Sequence, residues 1–132
     1  MKLLDTTFLI DYWSGEESVR TYLQTHEDAA FCTTTLNLKE LAVGRRLQGV
    51  FEWANLKTTF EWVETVPFTA EHAQIASDLE ATLYESETYT RRQIDALSAD
   101  LLIAAVASER GASVVTNNGV DFERFEVAVE SY

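Results

Sequence analysis

Short apolar runs alternate along this chain with longer stretches of helical spacing. Leu3-Leu4 predicts a brief buried strand, and Leu9, Ile10 and Trp13 follow at intervals of a helical turn that Thr6 or Thr7 can cap. Ser14-Gly15 is a stop signal, after which Val19, Tyr22 and Leu23 resume helical spacing. Residues 29–34 predict a second buried strand, and Thr35 or Asn37 is placed to cap a helix that carries Glu40 in an early turn. Leu47, Val50, Phe51 and Ala54 continue a three-to-four spacing and 59–63 reads as helical, so a helical hairpin is expected. Most of its aromatics (Phe51, Trp53, Phe60, Trp62) should lie in the core.

A third strand is expected over 63–68, ended by Pro67, the one proline of the chain. Ala73, Ala76, Leu79 and Leu83 then form a single apolar helical stripe, and 86–92 reads as a polar connection. Ser98 is placed to cap a long helix that stops near Arg110-Gly111. Residues 113–116 predict a fourth strand, Asn117-Asn118-Gly119 a turn, and 125–129 a fifth strand at the edge. Strands alternating with helices over this length imply an α/β fold, with a mostly parallel sheet of four or five strands and helices on both faces.

The 132 residues are read as one domain over 1–132, and 46% hydrophobic content argues against disorder. Cys32, within an apolar run, is expected to be a small buried hydrophobe. Asp5 interrupts the first apolar stretch and the longest uninterrupted one, 101–107, is far below the roughly 18 residues that span a bilayer, so a cytoplasmic protein without membrane contact is expected. The net charge of −12, from 22 acids against ten bases, disfavours non-specific attraction to polyanions. A halophilic host, whose salt screens an acidic surface, accounts for this excess. So does an acidic face made for a basic partner, and the two accounts are compatible.

Four of the acids stand out because each sits beside an apolar run. Asp5 closes the first strand, Glu40 interrupts Leu36, Leu38, Leu41 and Val43, Asp100 opens the run 101–107, and Asp121 follows the fourth strand by a short loop. Sites in open α/β sheets lie beyond the carboxyl ends of the strands, and helices leaving that edge begin at the same rim. All four can therefore meet. Clustered carboxylates repel unless they protonate or a cation neutralises them. Oxygen ligands without Cys or His suit Mg²⁺ or Mn²⁺, as one or two ions, and argue against zinc. His26 and His72, in polar surroundings, are expected at the surface. The chemistry that fits is water activated by a metal for attack on a phosphodiester.

These residues resemble the PIN-domain family, and within it the VapC-type toxin ribonucleases of VapBC toxin–antitoxin systems. The likeness runs through 3–11, through Leu38-Lys39-Glu40-Leu41, through 100–105, and through 115–122, in order and over essentially the whole chain. It implies a three-layer α/β/α fold with strand order 3-2-1-4-5, a Mg²⁺-dependent endoribonuclease, a homodimer, and inhibition by a cognate antitoxin that inserts a basic side chain into the acidic pocket. By motif position Asp5, Glu40, Asp100 and Asp121 would be the catalytic, metal-binding acids, with Thr6, Thr116 and Asn118 supporting them by hydrogen bonds. Arg45-Arg46 and Arg91-Arg92 are the candidates for contact with the RNA backbone. The chain departs from the pattern before the third motif, where a glycine-containing turn is replaced by 90–95; Asp95 there reads as a surface acid.

Rival α/β phosphoryl-transfer classes fit poorly. A haloacid-dehalogenase-type phosphatase wants an acid where this chain has Thr7, and both it and a receiver domain want a late lysine, whereas no lysine follows Lys57. The remaining alternative is a catalytically silent PIN-fold module that binds nucleic acid or an antitoxin-like protein.

Overall fold

The computed structural model describes residues 1–49 and 51–132; Val50, one member of the expected hairpin spacing, lies outside the described residues. Five short strands, β1 (Lys2–Leu4), β2 (Phe31–Thr34), β3 (Glu64–Val66), β4 (Ser113–Val115) and β5 (Val129–Glu130), form one sheet in the order β3-β2-β1-β4-β5. Every neighbouring pair is parallel. Leu4 pairs with Val115, Thr34 with Val66 and Val115 with Glu130, so all five strands end along one edge.

Alternation along each strand divides the core. Leu3, Cys32, Val66 and Val114 point to one face, where they pack against α5 (Ala70–Glu85), α6 (Arg91–Ala96) and α7 (Ser98–Arg110). Leu4 and Val115 point to the other, against α1 (Thr6–Trp13), α2 (Glu17–Thr25), α3 (Thr35–Leu47) and α4 (Trp53–Thr59). The result is the expected three-layer α/β/α arrangement. α8 (Gly119–Glu123) bridges β4 and β5.

Local chemistry moves several boundaries. The N-cap of α1 is Asp5 rather than Thr6 or Thr7, although its carboxylate makes no capping bond. α3 is capped by Thr34 rather than Thr35 or Asn37, in a capping box that Asn37 completes from the third helical position. Ser98 is the first residue of α7, whose N-cap is Leu97, while Gly111 ends the helix in the left-handed conformation (φ 62°) as expected. Residues 60–62 form a turn rather than a helix, and α4 is a separate short helix. Of the four aromatics there, Phe60 is buried, Phe51 packs at the core's edge, and Trp53 and Trp62 remain exposed. A short helix, α6, occupies the end of the supposed polar connection, started by a Thr90–Gln93 capping box. The last strand begins at Val129, and Phe125 is a core residue before it.

Two side chains reverse expectation. His72 is buried, not at the surface: its Nδ1 accepts from the Thr69 N–H at 2.9 Å and its Nε2 lies 3.2 Å from Glu109 on α7. Ala73, assigned to the apolar stripe, faces outward in its place. His26 is partly exposed and stacks on Tyr22 with ring centres 4.1 Å apart. Cys32 is buried as expected, and burial pushes its thiol up to about 11. No helix among the described residues is long and apolar enough to cross a membrane.

Candidate acidic centre at the carboxyl edge of the sheet

Asp5 is the fixed point of the site. It leaves β1 at the carboxyl edge, and only 5% of its surface is exposed. Its Oδ1 accepts from Asn37 Nδ2 at 3.1 Å and its Oδ2 from the Thr116 hydroxyl at 2.8 Å. Asn37, fully buried, donates its second amide hydrogen to Thr6 Oγ1 at 3.0 Å, and its Oδ1 accepts from the Thr34 hydroxyl at 2.6 Å. Thr116 in turn accepts from the Asn118 backbone N–H at 3.0 Å and lies 3.3 Å from the Thr7 hydroxyl. The carboxylate is thus held at both oxygens by residues from two distant segments, Asn37 on α3 and Thr116 after β4.

The expected supporting residues divide accordingly. Thr116 bonds Asp5 directly, Thr6 acts through Asn37, and Asn118 contributes a backbone N–H while its side chain is exposed. Asn37 and Thr7 were not foreseen in this role; the signal for Asn37 was its capping-box spacing from Thr34, which buries an amide beside the strand end. Asn37→Ala strips partners from Asp5, Thr6 and Thr34 at once. Leaving buried polar groups unpaired costs about 1–3 kcal/mol each before relaxation. Urea unfolding of this variant should show a loss of roughly 2–4 kcal/mol.

Glu40 lies in the second turn of α3, Asp100 in the first turn of α7 and Asp121 in the first turn of α8, all half-buried. Burial raises the Asp5 carboxyl above its ordinary range, against the opposing hydrogen bonds of Thr116, Thr6 and Asn37. Burial, then the charge of Asp5, raises Glu40. Asp100 is pushed up to about 6, first by burial and then by the charges of Asp5, Asp121 and Glu40. Asp100 thus lies within range of the other three charges, and Glu40 within range of Asp5. Among the described residues, no three acidic, imidazole or thiol groups converge closely enough to ligate one ion as they stand. The link among these acids is electrostatic, centred on Asp100, rather than a shared set of contacts.

A cation fits this field on independent grounds. Glu40 Oε1 is a buried side-chain oxygen with no hydrogen-bond partner among the described residues. Such an oxygen is costly in a fold unless a water or an ion satisfies it. The donor set is all oxygen, which suits Mg²⁺ or Mn²⁺.

The candidate RNA-contact residues occupy two places. Arg45 and Arg46, in the last turn of α3, lie over aromatic rings: Arg45 is 4.1 Å from the ring centre of Trp13 and Arg46 is 4.5 Å from that of Phe51. Arg91 and Arg92 are exposed at the start of α6, where Asp95 is exposed as well.

A family model described as PIN domain matches residues 2–127. Among solved structures, the fold is similar to that of a chain of VapBC2 from Rickettsia felis bound to a DNA fragment from their promoter, with 20% identity, 99% of this chain and 98% of that chain covered, and a TM-score of 0.77. A chain of DNA-bound VapBC from Salmonella typhimurium is 23% identical, with 98% and 96% covered and a TM-score of 0.73. A chain of VapBC-5 from Mycobacterium tuberculosis, a member of the VapBC family of toxin-antitoxin systems, is 28% identical, with 98% and 95% covered and a TM-score of 0.59. Comparison with curated proteins finds no match.

Proposed function

Because the chain belongs to the PIN-domain family, we propose that it is a Mg²⁺-dependent endoribonuclease, with Mn²⁺ as the other fitting ion, and the toxin of a type II toxin–antitoxin pair. What supports this reading is the repulsion that Asp100 feels from Asp5, Asp121 and Glu40, together with the buried, unpartnered Glu40 Oε1. Asp5 is the rigid ligand, its two oxygens set by Asn37 and Thr116. Glu40, Asp100 and Asp121, half-buried on three helices, would complete the oxygen set around such an ion. A bound divalent cation supplies an activated water and neutralises phosphate oxygens. Thr6, Thr7, Thr116 and the Asn118 N–H hold the geometry behind the acids.

The partners follow from the same chemistry. An acidic pocket in a chain of net charge −12 suits a basic side chain offered by a cognate antitoxin. Exposed Trp53, Trp62 and Leu47 supply apolar surface for that partner or for a second copy in a homodimer. The similarity to a VapBC-5 chain supports this assignment.

The test is incubation with a fluorogenic RNA in Mg²⁺ and high salt. Cleavage should require the metal, stop with EDTA, and be absent from Asp100→Asn. Equal signal from variant and parent would mean contamination. RNA or antitoxin binding with no cleavage would establish the silent module instead.

A further inference from the structure

Arg45 and Arg46 are oddly placed for so acidic a chain. Ten bases face 22 acids, yet neither arginine has a carboxylate within ion-pair distance among the described residues. Each guanidinium rests on a ring instead. A guanidinium held over an indole keeps its charge and its outward N–H groups available to a ligand.

Arg45 and Trp13 stand where two grooves meet. One runs between α1 and α3 and is lined by Ile10, Trp13, Glu40, Gly44 and Arg45, so it reaches the helix face that carries the unpartnered carboxylate. The other continues past Phe51 and Asn55. Gly44 adds a separate observation. It lies inside α3, where glycine is a poor helix former, yet a Cβ built there would meet nothing within 4 Å. No packing within the fold calls for glycine at this position. The space above it opens into the groove.

We propose that this groove holds the unpaired nucleotide next to the scissile phosphate. Its base stacks on the outer face of Arg45, which Trp13 supports from behind, and its phosphate meets the guanidinium edge. Gly44 leaves room for the sugar and base to approach α3. A single nucleotide supplies both a π-face and an anion, the two things this platform accepts. An acidic peptide supplies only the charge. The inference deepens the nuclease reading and rests on it.

The test measures binding apart from chemistry. Fluorescein-labelled oligoadenylate and oligouridylate are titrated with the full chain in Ca²⁺ and followed by anisotropy, with circular-dichroism melts of every variant. Gly44→Leu fills the groove with a better helix former and removes no charge, while Arg45→Gln keeps the apolar stem and removes the platform. Gly44→Leu should melt at or above the parent temperature and Arg45→Gln within a few degrees below it, since it gives up the Trp13 contact. Each should weaken oligonucleotide binding about tenfold or more. The parent should prefer oligoadenylate, because purines stack better, and Arg45→Gln should lose that preference. Folded variants that bind both oligonucleotides like the parent would overturn the groove assignment. If such variants lose only binding of a protein partner, the groove is a protein site and the proposal also falls. A parent that neither binds oligonucleotide nor cleaves RNA removes the nuclease reading itself, so the two failures are told apart.

Discussion

Asp5→Asn should abolish RNA cleavage and, in EDTA, raise the melting temperature. The two effects have one cause. The Asp5 carboxylate is almost wholly buried, and its neighbours are other acids rather than bases. Burial therefore works against its charged form, and three hydrogen bonds offset that only in part. Asparagine is nearly isosteric. Its oxygen can still accept from Asn37, and its amide can donate to Thr116, whose hydroxyl then turns toward Thr7 at 3.3 Å. The fold loses a buried charge and keeps its shape, for a gain of roughly 1 kcal/mol, or several degrees. Activity moves the other way. An ion that stabilises the transition state by several kcal/mol and loses its rigid ligand costs on the order of a thousandfold in rate. Thermal melts in EDTA beside the fluorogenic assay check both halves. A variant that melts well below the parent would mean that the charge is compensated inside the fold, and Asp5 would then be a structural residue.

The same logic explains what the sequence made legible. Asp5, Glu40, Asp100 and Asp121 could be picked out because each carboxylate interrupts or abuts a run that packs in the core. The parallel sheet was legible because Leu3 and Leu4, like Val114 and Val115, are apolar on consecutive positions and face opposite layers. What stayed hidden depends on tertiary partners. Asn37 looks like an ordinary cap until Asp5 and Thr6 arrive from 32 and 31 residues away. His72 reads as polar surface, yet α5 packs against α7 and turns it onto Glu109, so Ala73 faces water. Residues 59–63 carry Phe60 and Val63 at a helical spacing of three, but there the chain turns into β3 with both side chains buried. Short capped helices such as α6 have too few apolar positions for a period to show, since only Ile94 among its residues is buried.

Metal and pH should act on stability as opposing controls of one quartet. Asp5, Glu40 and Asp100 all have carboxyls raised above their ordinary values, so the native state holds their protons more tightly than the unfolded chain does. Protonation therefore favours folding. The contribution of Asp100 is complete below its unfolded value of 3.8 and is lost as pH rises through about 6, while those of Asp5 and Glu40 change in the same direction. Unscreened, that change for Asp100 corresponds to roughly 3 kcal/mol. Solvent beside a half-buried carboxyl reduces it to roughly 1 kcal/mol. The many other acids also repel less at low pH, so the informative quantity is a difference. In EDTA, Asp100→Asn should melt several degrees above the parent at pH 7.5 and level with it at pH 4. Mg²⁺ neutralises the charges that protons otherwise remove, and it binds only the folded arrangement. It should raise the parent's melting temperature strongly at pH 7.5, weakly at pH 5, and hardly at all in the variant. A Mg²⁺ shift that is equal at both pH values and survives in Asp100→Asn would place the ion elsewhere on this acidic surface, and the quartet would lose its claim to hold it.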